Sequence, residues 1–503
     1  MKPIFACLLC SCAVMAAGCF GDDSQTADSN PGAARSTEAS HGGGSPAATR
    51  LVESPPADAP ETEIPLATEF TGNSLADAGH ATGGPIELTD AQQQQLQRAT
   101  QMTIVAGRHE DREYFDAAMN CRHEVLQIMT SLFGEDNWRT QHARLAIAQT
   151  ERLATLTPEE RARWVEAKRL DASTNSLYQQ GQPMQAAAAC RQVVATIEAL
   201  LGRHHPDYAR TLNNLGLLEQ ALGNMDEAKT LIEKGLVIRR QNLGAHHPDC
   251  GASLTSLGLL KFSQGDFPGA EQDLKEAVEI SRQAFGAASV NYADAQNRLG
   301  LLYKDSGNHA GAIEALKAAL EARRALHGQK HLACTQSLLN LAAVSRAAGE
   351  YQAAEPLLTE ALDIYTEQLG AEHVRTVATR HRLGDLFIDM QDYARATDEL
   401  RQVLAAHENT LGRDDPRYAA ALQSLGRAYR DQGQFEQAEP MLVEALKIHE
   451  AALGPDHETV ADGLESYAQL LQQTARAAEA ENLLNRARGI RARLASGDRP
   501  LTR

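Results

Sequence analysis

Residues 211–249, TLNNLGLLEQALGNMDEAKTLIEKGLVIRRQNLGAHHPD, decide the fold of this chain. Leu212, Leu215, Leu218 and Leu222 fall on one face of a helix. Gly223 then ends that helix, because glycine takes the positive φ that a helix C-terminus favours. A second stripe follows in Ala228, Leu231, Ile232, Gly235 and Ile238, with small residues where two helices must approach closely. Leu243-Gly244 closes it. The stretch is therefore a helix pair with one apolar face, too little to bury that face alone.

Outward from this stretch the pattern repeats without insertion or deletion. Leu215-Gly216, Leu257-Gly258, Leu299-Gly300, Leu341-Ala342, Leu383-Gly384, Leu425-Gly426 and Tyr467-Ala468 recur at a step of 42 (257 minus 215). The handover between units keeps the same step in Leu201-Gly202, Leu243-Gly244, Phe285-Gly286, His327-Gly328, Leu369-Gly370, Leu411-Gly412 and Leu453-Gly454. The turn inside each unit is marked by Gly181, Gly223, Gly265, Gly307, Gly349 and Gly433. Pro356 and Pro440 stand near the start of a second helix, where a missing N–H is tolerated.

The Leu-Gly pair, the Gly-x-aromatic turn and the following Ala resemble tetratricopeptide repeats, and the 42-residue step with LGAHHPD at 243–249 resembles the kinesin light chain type. The resemblance covers residues 171–495, with seven units and a partial one at 178–202. It implies an all-α fold, a right-handed superhelical solenoid of antiparallel helix pairs with a long concave groove. It also implies that the first helix of each unit lines that groove. One ring of the groove is then Asn213, Asn297, His381 and Gln423, a second Lys304, Arg346 and Arg430, and a third Asp385 and Arg427, preceded by Leu217, Leu259 and Leu301. Amides pair with peptide backbone and guanidinium clamps carboxylates, so these rings suit extended peptides; a merely solvated polar face is the alternative. Thr255 and Leu339 interrupt the asparagine ladder, which confines recognition to part of the groove.

Residues 1–18, MKPIFACLLCSCAVMAAG, have the charge and apolar run of a secretory signal and are too short to span a bilayer. Ala16-Ala17-Gly18-Cys19 resembles the bacterial lipobox, with Ala16 where Leu is usual, and the resemblance implies acylation of Cys19. Two or more acyl chains anchor a protein stably. Residues 19–90 are rich in Ser, Gly, Pro and Ala, which makes them an expected disordered linker. Residues 91–170 form a helical N-terminal region, a degenerate repeat in reading, with helices at 138–153 and 158–170; residues 496–503 are a tail. Arg486, Arg488, Arg491 and Arg493 suit a helix C-terminus, with anionic lipid as the alternative partner.

The net charge of -18 removes the counterion-release term on which non-specific nucleic-acid binding depends. No phosphate-binding loop, nucleophile elbow, zinc-protease helix or dinucleotide fingerprint occurs, so no catalytic residue, cofactor or small-molecule substrate is assigned. His205, His247, His331, His373 and His457 recur at one register, which points to local capping rather than to a metal, and no metal ligand is assigned. Cys121, Cys190, Cys250 and Cys334 read as small buried hydrophobes. The expected function is an exported, lipid-anchored scaffold whose groove takes peptides or partner proteins, the body standing in the periplasm or at the cell surface. A soluble periplasmic or secreted protein, an envelope spacer without ligand, and an accessory enzyme subunit using His381 and Asp385 are the alternatives.

Overall fold

The computed structural model describes residues 88–496, which form nineteen α-helices and no strand. The signal segment 1–18, the acyl acceptor Cys19, nearly all of the linker 19–90 and the tail after Ser496 lie outside the described residues. Three helices come first: α1 (Asp90–Asp111), α2 (Phe115–Phe133) and α3 (Trp138–Ala154). A regular series of pairs follows, α4 (Pro158–Gln179) with α5 (Pro183–Leu201), α6 (Pro206–Ala221) with α7 (Met225–Leu243), α8 (Pro248–Ser263) with α9 (Phe267–Phe285), and α10 (Val290–Asp305) with α11 (His309–His327). It continues through α12 (Leu332–Ala347) and α13 (Tyr351–Leu369), α14 (Val374–Asp389) and α15 (Tyr393–Thr410), α16 (Pro416–Asp431) and α17 (Phe435–Leu453), and α18 (Glu458–Gln473) and α19 (Ala477–Ser496).

From α4 onward each helix packs on the next in the chain, the members of a pair most closely, which is the contact pattern of a superhelical solenoid. The recurring glycine of the first helix sets that closeness. A Cβ on Gly300 would stand 2.6 Å from Leu316 Cγ, and one on Gly216 2.6 Å from Ile232 Cγ1. A side chain takes that place in three pairs, as Thr174 in α4, Ala342 in α12 and Ala468 in α18. The apolar core runs from Ala270 in α9 to Ala480 in α19, so neighbouring units share one core. Arg488 is exposed on α19 at the register where earlier units carry Val194, Leu236, Val278, Leu320, Leu362, Leu404 and Leu446, which makes the outer face of α19 polar. Pro356 and Pro440 each sit inside their helix, at its sixth residue, and α13 and α17 continue through them at the cost of one backbone hydrogen bond each.

The first three helices form a cap. α1 and α2 pair over Leu96, Ala99, Val125 and Met129, and Gly134 hands over to α3 with φ 87°, the geometry of Gly202 and Gly244 at later handovers. α4 begins at a capping box, Thr157 with Glu160, and runs past residue 170 to Gln179, so the expected boundary at 171 falls inside the first helix of the first pair. α3 instead lies along the edge of the solenoid where units hand over. Arg152 donates to Leu200 O (3.0 Å), Gln149 to Asp207 (3.1 Å) and Trp138 Nε1 to Ala284 O (3.4 Å). Among the described residues no helix is long and apolar enough to cross a membrane.

Candidate functional site

On the first helix of each unit, positions three and four residues apart share a face. Residues 213, 217 and 220 of α6 therefore form one column, repeated in α8 through α18, and the columns side by side make the rows that the resemblance places in the groove; in α6 all three are buried. The row that begins at Leu217 changes character along the molecule. It reads Leu217, Leu259, Leu301 and Ala343, then Asp385, Arg427 and Gln469. Arg427 Nη1 stands 3.9 Å from Asp385 Oδ1 across the α14–α16 gap, with both side chains partly exposed.

The row that begins at Asn213 is built differently: its polar groups are spent on stacking. Asn213 donates to Ser256 (3.3 Å), Asn340 to Asn297 (2.9 Å), and Gln423 to Ser466 (3.1 Å), while His381 Nε2 is 3.0 Å from Ser424 Oγ. Every one of these bonds joins residues 43 apart, one register step plus one residue. Ser256, Asn340, Ser424 and Ser466 were invisible as site residues in the sequence, since the signal lies one residue beyond the period. Asn213 is fully buried, and its Oδ1 has no partner.

The cationic row divides too. Lys304 is partly exposed, 3.4 Å from Asp305. Arg346 is 36% exposed and pairs with Asp389 of the next unit at 2.5 Å. Arg430, at the same register, is only 7% exposed: its Nε donates to Asp431 at 2.7 Å and its Nη1 to Gln469 at 2.6 Å. Arg430 is thus a buried tie between α16 and α18 and presents no guanidinium to the groove. Three of the four arginines of α19 tie to the preceding helices, and Arg488 stays on its own helix. Arg486 pairs with Glu450 and Arg491 with Asp462, each at 2.6 Å, Arg493 pairs with Asp456, and Arg488 donates to Asn485 at 2.9 Å.

His381, Asp385 and Ser424 come together, a hydroxyl beside the imidazole that the sequence gave no sign of. The carboxylate lies 3.8 Å and the hydroxyl 3.0 Å from the same nitrogen, Nε2. A proton relay needs the acid on one ring nitrogen and the hydroxyl on the other, so this arrangement does not activate Ser424. No group of three metal-binding side chains occurs among the described residues.

The histidines of the handover edge are caps. The Nδ1 of His205, His247, His331, His373 and His457 accepts from the backbone N–H two residues on, at 3.1–3.2 Å, and Ser289 and Asp415 cap α10 and α16 in their stead. Such acceptance requires the neutral ring. Burial pushes His247 down to about 4; Asp249 opposes this more weakly, while His142 and Arg239 push it further down. Buried His407 and His449, at the seams between units, are pushed down to about 4 in the same way. Cys121, Cys190, Cys250 and Cys334, the cysteines among the described residues, are buried and free. Cys250 and Cys334 donate to Gly244 O and Gly328 O (3.4 and 3.5 Å), as Thr376 does to Gly370 O (2.8 Å), which explains their shared register. Desolvation raises Cys190 to about 12 and Cys250 to about 11, leaving both as inert thiols.

No curated protein matches this chain. Among solved structures it is similar to a kinesin light chain of Podosopora anserina with nearly identical repeats, at 26% identity over 40% of this chain and 94% of that one, TM-score 0.35. It is similar also to BtubC of P. vanneervenii, at 20% identity over 48% and 94% of the two chains, TM-score 0.38. The apo quorum sensor NprR of B. thuringiensis is similar at 14% identity over 72% and 99%, TM-score 0.49. The family model for the tetratricopeptide repeat matches overlapping segments, 175–241, 209–283, 250–325, 291–367, 331–409, 375–451 and 417–493. Those segments run unbroken from 175 to 493, over the stacked pairs that carry the groove, and the chain belongs to the tetratricopeptide repeat family.

Proposed function

We propose that this chain is an exported, lipid-anchored interaction scaffold that takes extended peptides or partner proteins in its concave groove and catalyses no reaction. The solenoid is a fold typical of protein–protein interaction. One observation carries the reading. Positions that hold the pairs together repeat from unit to unit, whereas the row from Leu217 to Gln469 does not, and its charged pair, Asp385 and Arg427, stays partly exposed. Leu259 and Leu301, partly exposed, suit a peptide's side chains, whereas Leu217 is buried with Leu215 and Leu218 in the core; Asp385, Arg427 and Arg346 suit a peptide's charges. Asn297, His381 and Gln423 act by holding adjacent units in register, which keeps the groove rigid and lowers the ordering cost of binding. Arg430 contributes in the same indirect way.

The sequence MKPIFACLLCSCAVMAAGC supports export and acylation at Cys19. Anchoring concentrates the groove at a bacterial membrane and raises its effective concentration toward envelope partners. Fractionation of cells expressing the full chain and a Cys19→Ser variant tests this: the parent follows the membranes and the variant the soluble envelope fraction. Equal partition of the two refutes the anchor. Affinity capture from detergent-solubilised envelope tests the scaffold: a partner retained by the parent is lost from Arg346→Glu/Arg427→Glu. Identical profiles would favour a spacer without a groove ligand.

A further inference from the structure

The edge of the solenoid carries a second surface, and α3 shows how it is used. Trp138 sits edge-on to His247 and Phe285, with centroids at 5.9 and 5.4 Å, so its seat consists of the residue capping one first helix and the last residue of its partner helix. Adding the 42-residue step gives Ser289 and His327 (247 plus 42, 285 plus 42). That register holds an open cleft of about 290 Å³ lined by Val290, Arg323, His327, Leu332, Tyr365 and Arg375. The first helical residue is Pro206 and Pro248 in the units that α3 covers, and then becomes Val290, Leu332 and Val374 before returning to Pro416. Val290 and Val374 are 47% and 49% exposed. An apolar row and a cleft therefore continue the line of α3 beyond its end.

The position of α1 says what lies nearest. Leu88, just before α1, and Phe133, which ends α2, both pack against the cluster that includes Ala143 of α3, and Arg139 stacks between Phe133 and Trp138 at 4.7 and 4.4 Å. The chain thus enters α1 beside Trp138, one unit from the cleft. Eighteen residues upstream (88 minus 70) stands Phe70, the one aromatic between Phe20 and Tyr114, at the end of ETEIPLATEF, residues 61–70. Eighteen residues span up to roughly 60 Å, against about 20 Å for two units of stacked helices. The segment has apolar Ile64, Leu66 and Phe70 and acidic Glu61, Glu63 and Glu69, with no Lys or Arg from 51 to 79. The cleft is lined by Arg323 and Arg375 and by the carboxylate of Asp294, which pairs with Arg323 at 2.6 Å.

We propose that residues 61–70 dock on this edge, with Phe70 seated at the Val290–Leu332 cleft as Trp138 is seated one unit before. The docked segment ties the linker to the fourth unit and extends the strap that α3 begins, leaving the concave groove open. A photoreactive benzophenone analogue of Phe70, placed in the full chain and irradiated at two protein concentrations, tests the docking. Adducts map to residues 290–294 and 327–336, with a yield independent of concentration. The yield falls about tenfold in Val290→Glu/Val374→Glu, since acids there repel the segment while remaining favourable at helix N-termini. Adducts scattered over the solenoid or in the concave rows, a yield that rises with concentration as a second copy would give, or indifference to the edge substitutions would each overturn it. None of these outcomes bears on peptide binding in the groove.

Discussion

The handover edge and the concave groove are built on the same helices, yet one repeats and the other varies. At the edge, five histidines accept the same backbone bond at 3.1–3.2 Å, and the handover glycines adopt positive φ in unit after unit. In the groove, one row passes from leucine to a charged pair. Recurrence in a repeat marks what every unit needs in order to stack, and departure from it marks what the molecule as a whole presents. Breaking an edge or crossing position should therefore cost stability, whereas breaking the variable groove row should cost binding alone.

The largest expected effect is acid sensitivity. His247, His407 and His449 titrate near 4 in the folded chain and near 6.5 unfolded. Between those values the unfolded chain holds more protons, so stability is complete above about 6.5 and is lost as pH falls toward 4, up to roughly 3 kcal/mol for each histidine. Urea midpoints measured from pH 7.5 to 4.5 should fall, and His449→Leu should flatten the curve. Next comes Gly300→Val, whose side chain has no room against Leu316: roughly 3 kcal/mol, read as a lowered urea midpoint. A smaller loss, about 1 kcal/mol, is expected for His457→Ala, which removes the acceptor for Thr459 N–H, and His457→Asn should restore it.

The helix pairs and the capping role of the histidines were legible in the sequence because both recur in register. What recurs only in space was not. Trp138 reaches Ala284 across 146 residues, and no period signals such a contact, so α3 read as a helix of the cap rather than as a strap. Arg346 and Arg430 are indistinguishable by register, yet the first faces Asp389 at the surface and the second is enclosed by Asp431 and Gln469. Burial depends on what the neighbouring unit offers, here Gln469 on α18. Gln391 takes φ 61° where six other units place glycine, a conformation its side chain gives no hint of.

The central claim, that the variable row binds rather than stacks, is tested most directly by exchanging its charges. Asp385→Arg/Arg427→Glu keeps an opposite-charge pair across α14 and α16 and so spares the fold, but reverses the charge order a peptide would meet. Fluorescence anisotropy with a peptide selected on the parent chain gives the answer. The account predicts an unchanged urea midpoint and binding at least about tenfold weaker, a difference of roughly 1.4 kcal/mol. Equal affinity with an unchanged midpoint would contradict it.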